Sequence, residues 1–338
     1  MARPLADPSS HDDGADLLDV ADLAVELPTG DGLVRPLAGV DVSLRAGQTL
    51  AVLGESGSGK TMTARAIMGI LPSGGRITRG SIRVDGTDLL ALDDDQRRRM
   101  RGSTVAMVFQ DPMSALNPVL SVGTQIEEVL RVHLGLSRRD ARRRAVEMLD
   151  LVGIPSAAKR VTHYPHEFSG GMRQRVMIAM ALVLEPRLVI ADEPTTALDV
   201  TIQRQILRLL RDLQSERNMA LMLITHDMGV VAEMADDVVV MYAGRVVERA
   251  PVRAIFARPA HPYTEALLQA IPGPREVGHR LKVIGGAPPS LLDVPPGCPF
   301  HPRCARVTQK CTVALPEEEG VAAGRTSACH HWREVVST

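Results

Sequence analysis

Aromatic side chains are nearly missing from this sequence, with one Trp, three Tyr and four Phe among 338 residues. A surface that stacks on bases would have few rings to draw on. The formal net charge is −1, so the basic footprint that neutralises a phosphate backbone is missing as well. Both scarcities argue against nucleic acid as a partner. Long apolar stretches are also absent: the longest uninterrupted run, Val176 to Leu184, is about half of what spans a bilayer. Any membrane role is therefore expected to work through partner proteins. Residues 1–16 are polar and acidic and lack the apolar core of a secretory signal, so a disordered tail and a cytoplasmic location are expected. Cysteine does not occur before Cys298, and the four that do occur are Cys298, Cys304, Cys311 and Cys329. In a reducing compartment such clustering favours metal ligation over disulfides. The length allows one large domain with a smaller one, or two of ordinary size.

What is present begins with Gly54-Glu55-Ser56-Gly57-Ser58-Gly59-Lys60-Thr61, a GxxxxGKT loop. The apolar run Thr49 to Leu53 before it reads as a buried strand, and Met62 to Met68 after it, free of Gly and Pro, reads as a helix. Glycines let such a loop wrap closely round a phosphate chain, and its backbone N–H groups and the helix N-terminus present positive partial charge. Lys60 is expected to reach the β/γ-phosphates and Thr61 to ligate Mg²⁺. The pattern points to a nucleotide.

Further along, Leu17 to Leu50 holds short β-rich segments round turn signals, which predicts an antiparallel subsheet. Val105 to Phe109 is an apolar strand ending on Gln110; Leu188 to Ala191 ends on Asp192-Glu193-Pro194; Ala220 to Thr225 ends on His226. Polar groups at three strand ends fit the carboxyl edge of an open α/β sheet, where ligands bind. An Asp beside the phosphate loop suits Mg²⁺, and the adjacent Glu193 can accept a proton from water. The region from Ser121 to Val161 is helix-rich, and its cluster Arg138, Arg139, Arg142, Arg143 and Arg144 reads as a solvated face. Ser169-Gly170-Gly171 precedes a helix and forms either a second anion site, serving a neighbouring subunit's nucleotide, or an ordinary N-cap.

GESGSGKT, Gln110, FSGGMRQR, LVIADEP, TALD and His226 occur in the order and spacing of ABC-transporter ATPase subunits. They resemble, in turn, the Walker A loop, Q-loop, signature, Walker B with its catalytic Glu, D-loop with Asp199, and switch His. The resemblance covers roughly Leu17 to Pro259. It implies a pair of ATPase domains sandwiching two ATP molecules, each between the Walker A loop of one and the Ser169, Gly170 and Gly171 equivalents of the other. It also implies that Thr61, Asp192 and Gln110 hold Mg²⁺, Glu193 orients and deprotonates water, and His226 contacts the γ-phosphate. Within the family, VFQDPMSALNPVLSVGTQI, PHEFSGGMRQRVMIAMAL and HPYTEALLQAIP resemble the D-type ATPase of oligopeptide/dipeptide permeases. Relatives usually place an adenine-stacking aromatic where Leu27 stands, and an apolar Leu offers the base less stacking energy.

The fold implied is α/β, a P-loop ABC-type nucleotide-binding domain with a parallel core sheet, an antiparallel subsheet and a helical subdomain. The expected division is 1–16 tail, 17–258 ATPase domain with its helical subdomain at about 111–168, and 259–338 a small C-terminal domain with the four-Cys cluster. Its spacing, C-x5-C-x6-C-x17-C, lacks the close pairs of zinc knuckles. Four thiolates are the complement of a 4Fe-4S cluster, which some members of the resembled family carry in this extension, so that cofactor is expected, with Zn²⁺ or reduced thiols as alternatives. The resemblance further implies a second ATPase subunit, two transmembrane permease subunits and, indirectly, an extracytoplasmic solute-binding protein, with the chain at the cytoplasmic face of the membrane. The function expected is ATP-driven import of di- or oligopeptides. Alternatives are the same machine carrying nickel or another small solute, or a soluble ABC ATPase in DNA repair or translation.

Overall fold

The structure is a computed structural model that describes residues 16–196, 198–270 and 284–337. The expected N-terminal tail, apart from Asp16, lies outside the described residues. So does Ala197 of the TALD stretch.

Twelve strands among the described residues form two sheets. The smaller has the order β2-β1-β4-β5, all antiparallel, from β1 (Leu18–Thr29), β2 (Gly32–Leu44), β4 (Arg76–Val84) and β5 (Thr87–Asp88). The larger contains β3 (Thr49–Leu53), β6 (Val105–Val108), β7 (Leu188–Asp192), β8 (Ala220–Thr225), β9 (Asp237–Tyr242), β10 (Arg245–Pro251), β11 (Glu319–Ala322) and β12 (Arg325–Ser327). Its order is β11-β12-β10-β9-β3-β8-β7-β6, parallel from β9 to β6 and antiparallel beyond.

The continuous apolar runs of β3, β6, β7 and β8 follow from burial on both faces. Side chains alternate across a strand, and the two sets reach different cores. Leu188 and Ile190 pack with Met222, Ile224 and the antiparallel sheet, whereas Val189 and Ala191 pack with Leu221, Leu223 and the helices of residues 122–182. Each such Leu, Val or Ile contributes roughly 1.5–3 kcal/mol of apolar transfer. Between β6 and β7 the chain is mostly helical, with helices Val122–Leu134, Arg138–Leu151 and Gly170–Leu182. Ser121 and Ser137 start the first two by accepting N–H bonds from Thr124 and Asp140. Three of the five arginines in the cluster are ion-paired: Arg142 with Glu127, Arg143 with Asp140 and Glu147, Arg144 with Glu147 and Glu185.

The C-terminal region is joined directly to the ATPase core. Strand β12 adds to β10 through the pairs Glu248↔Ser327 and Arg249↔Thr326, so the large sheet continues across the division expected at 258/259. Beneath it, Tyr242, Tyr263 and Phe300 form one aromatic knot with centroids 4.7–5.3 Å apart. Buried Glu248 accepts N–H bonds from Ala260 at 2.7 Å and Arg325 at 3.1 Å, which stitches the linker and the last hairpin to β10.

Candidate functional site

Strand β3 delivers the chain into the loop Gly54–Gly59, and the helix Lys60–Met68 leaves it. Two glycines are required there. A Cβ on Gly54 would stand 2.3 Å from the Met241 carbonyl, and one on Gly59 would stand 2.8 Å from the Pro36 carbonyl, with φ of 154° and 109° respectively. Lys60 folds back over the loop and donates to the carbonyls of Gly54 at 2.6 Å and Glu55 at 2.8 Å. Burial pulls its ammonium pKa below the ordinary value, opposed by the carboxylates of Glu193, Asp192 and Glu55.

The neighbouring strand ends supply the facing groups. Thr61 donates its hydroxyl to Asp192 at 3.2 Å. Burial pushes the Asp192 carboxyl above its usual range; the Thr61 bond opposes this and the Glu193 charge adds to it. Glu193 then adopts a left-handed φ of 46°, strained for a residue with a Cβ, while its N–H bonds the Ile224 carbonyl at 2.9 Å. The turn separates two consecutive carboxylates: Asp192 meets Thr61, and Glu193 meets Gln110 Nε2 at 3.1 Å, Thr196 Oγ1 at 2.9 Å and His226 Nδ1 at 3.2 Å. Glu55 to Thr61, Gln110, Glu193 and His226 line one open cleft of about 780 Å³. Gly54, the first residue of the loop, is buried and does not line the cleft.

Other residues singled out in the sequence lie elsewhere. Leu27 is half-buried on β1, its Cδ1 3.5 Å from where a Gly75 Cβ would be, and it does not line the cleft. Ser169 caps its helix by accepting from Met172 N–H at 3.3 Å, and Asp199 caps the helix Val200–Arg217 by accepting from Thr201 and Ile202, both at 3.0 Å. These two helix starts adjoin: a Cβ on Gly171 would stand 2.6 Å from Ile202, and one on Gly170 3.8 Å from Leu198. None of Ser169, Gly170, Gly171 and Asp199 lines the cleft.

Three side chains at the loop were not singled out in the sequence. Tyr263 accepts the Glu55 N–H on its phenol oxygen at 2.8 Å. Arg303 grips the Glu55 carboxylate twice, at 2.6 and 3.0 Å, and donates to Tyr242 at 3.2 Å. Glu55 holds the Arg303 guanidinium pKa above its ordinary value. Tyr263 falls in the stretch HPYTEALLQAIP and Arg303 directly before Cys304, but neither position says anything of a partner 208 or 248 residues earlier.

The four cysteines converge. Cys298, Cys304, Cys311 and Cys329 line one tight pocket of about 10 Å³ with His261, His301, His330 and His331 nearby. All four are free thiols. Burial pushes Cys298 up to about 11 and Cys329 up to about 12. Among the described residues, no three His, Cys, Asp or Glu side chains are arranged to hold a metal ion as they stand. Nor is any helix among them long and apolar enough to cross a membrane.

Comparison with known families finds the ABC transporter family over residues 37–196 and the oligopeptide/dipeptide transporter C-terminal region over residues 247–311. The oligopeptide transport ATP-binding protein OppD of Salmonella typhimurium is 50% identical over 93% of this chain and 93% of its own length. A putative peptide import ATP-binding protein of Brucella melitensis is 48% identical over 95% of this chain and 98% of its own. Among solved structures, the dimeric ATP-binding cassette MJ0796 bound to ADP and Pi superposes with a TM-score of 0.63 at 27% identity, covering 70% of this chain and 99% of that one. CbiO1 of Clostridium perfringens, part of the ABC transporter complex cbiONQ, gives 0.61 at 30% identity over 72% and 91% of the two chains.

Proposed function

Because the chain belongs to the ABC transporter ATPases, and among them to the oligopeptide transport ATP-binding group, we propose that it powers import of di- and oligopeptides by hydrolysing ATP. The convergence of Gln110, Asp192, Glu193 and His226 on the loop that carries Lys60 supports hydrolysis, and the match of residues 247–311 to the oligopeptide/dipeptide transporter C-terminal region supports the cargo. On binding, the triphosphate would take Lys60 from the carbonyls of Gly54 and Glu55, and loop amides of residues 55–61 would share its charge. Thr61, Asp192 and Gln110 are proposed to hold Mg²⁺. A cation there offsets the burial that raises the Asp192 pKa. Glu193 would orient and deprotonate the attacking water, with Gln110, Thr196 and His226 fixing its two oxygens, and His226 would reach the γ-phosphate.

Ser169, Gly170, Gly171 and Asp199 do not line this cleft, which suits action on the nucleotide of a second ATPase subunit. In this reading residues 17–258 are the ATPase unit, about 111–168 is the part that meets two transmembrane permease subunits, and 259–338 is the C-terminal module. The permeases would hold the chain at the cytoplasmic face of the membrane and accept cargo from an extracytoplasmic solute-binding protein. The convergent thiols supply the donor set of a 4Fe-4S cluster, with Zn²⁺ the alternative; they would have to draw together to ligate it. Once bound, the group would cross-link the C-terminal module.

In a complex reconstituted with its permeases and partner ATPase, Glu193→Gln should leave ATP affinity within about twofold and lower turnover at this site on the order of a hundredfold or more. Peptide uptake by cells carrying only that variant should fail with it. Undiminished hydrolysis at this site would remove Glu193 from the role of base, and normal peptide uptake in cells lacking the chain and any redundant importer would remove the cargo.

A further inference from the structure

The cleft is lined by two chemically different sets of side chains, and only one is accounted for by phosphate chemistry. Around the phosphate loop the lining is polar, whereas its apolar lining comes from Pro36 on β2, Met62, and Pro288 and Leu291 of the C-terminal region. Among the described residues no Phe, Tyr or Trp lines it, and Leu27 does not. Residues 284–293 thus cross from the four-cysteine module to the nucleotide cleft of the same chain. Their course is fixed at both ends. Arg303 Nε donates to the Gly285 carbonyl at 2.9 Å while its Nη atoms hold Glu55, and Leu292 Cδ2 stands 3.4 Å from where a Gly32 Cβ would be, at the β1–β2 turn. The Arg303 side chain is only 5% exposed. Ser290 closes the turn between, its hydroxyl accepting from Leu292 N–H at 3.2 Å and its carbonyl from Asp293 N–H at 3.1 Å. Pro288 is exposed and Leu291 half-exposed, so both present apolar surface that a ligand can cover.

A nucleoside triphosphate bound through Lys60 has one large apolar part, its purine ring, to shelter. We infer that Pro288 and Leu291, with Pro36, form the wall on which the adenine ring rests, so that the C-terminal region of this chain is part of its own nucleotide site. The inference rests on the phosphate-loop reading above. It gives the base an aliphatic support where no ring is available, and Arg303 tethers that support to the loop.

The test is binding of ATP and of inorganic tripolyphosphate, by titration calorimetry, to the full chain and to Leu291→Ala, Pro288→Ala with Leu291→Ala, and Leu291→Tyr. Losing half-covered aliphatic carbons should weaken ATP about five- to tenfold while tripolyphosphate stays within about twofold. A ring at position 291 should tighten ATP about two- to tenfold with tripolyphosphate again unchanged. ATP affinity indifferent to all three variants would place the base elsewhere and overturn the inference, as would equal losses for both ligands. If the wild-type protein binds neither ATP nor tripolyphosphate, the phosphate-loop reading itself fails and this one with it.

Discussion

Arg303 and Glu55 sit 248 positions apart in the chain and meet in a two-bond ion pair at the phosphate loop. Replacing Arg303 with Met keeps most of the aliphatic volume and removes the charge. The magnitude follows from burial: the Arg303 side chain is 5% exposed and Glu55 27%. Two charge-assisted bonds in a partly buried site contribute roughly 3 kcal/mol, less than a fully buried pair because water can still reach the Glu55 carboxylate. Glu55→Gln should cost less, roughly 1–2 kcal/mol, since an amide oxygen still accepts from Arg303. The cycle of both substitutions should then show roughly 2 kcal/mol of coupling. Urea unfolding can be followed two ways. Far-UV circular dichroism reports the whole fold, and fluorescence of the sole tryptophan, Trp332, reports the C-terminal end. In Arg303→Met the fluorescence transition should move to lower urea ahead of the dichroism, because the clamp joins the two regions. A coupling below about 0.5 kcal/mol, with both transitions unmoved, would refute the reasoning.

Protein purified without oxygen should carry iron and sulfide in about equal amounts, and Cys311→Ser should lose most of both; zinc without iron or sulfide would rule out the cluster. His261 is buried at the cap of the helix Pro262–Gln269, accepting from Tyr263 N–H at 3.0 Å, and burial pushes its pKa down to about 3. The unfolded chain takes up this proton near pH 6.5 and the folded chain declines it, so stability should fall by about 2 kcal/mol between pH 7 and pH 5. His261→Asn keeps an acceptor for the cap and should flatten that part of the slope; an identical pH dependence in thermal unfolding would contradict it.

Much of the nucleotide site was legible because its parts are local. A glycine loop between an apolar run and a helix, and single polar residues at the ends of apolar strands, are marks that a few neighbours write, and the parallel order of β3, β8, β7 and β6 brings them together. What could not be read were pairings that depend on distance in the chain. The Pro- and Ala-rich stretch after Arg249 looks like the end of the sheet. Yet Arg325–Ser327, three residues long and too short for alternation to register, returns to extend it. Leu27 shows the limit of reading position by position. The family resemblance puts it where relatives carry an aromatic; in the structure its Cδ1 stands 3.5 Å from where a Gly75 Cβ would be. Nothing about Pro288 or Leu291 in isolation points to the cleft they line.

That returning hairpin also settles how the large sheet ends. Without it, β10 would offer its backbone groups and the apolar Val246 and Val247 as an open margin on which another chain could dock strand to strand. β12 occupies that margin, and β11 becomes the outermost strand, four residues long and preceded by Glu317 and Glu318 with Glu319 at its start. Trp332 and Arg333 of the last helix both hold Glu319. The final stretch of this chain is thus a charged hem, keeping a sheet of very apolar strands from growing into its neighbours.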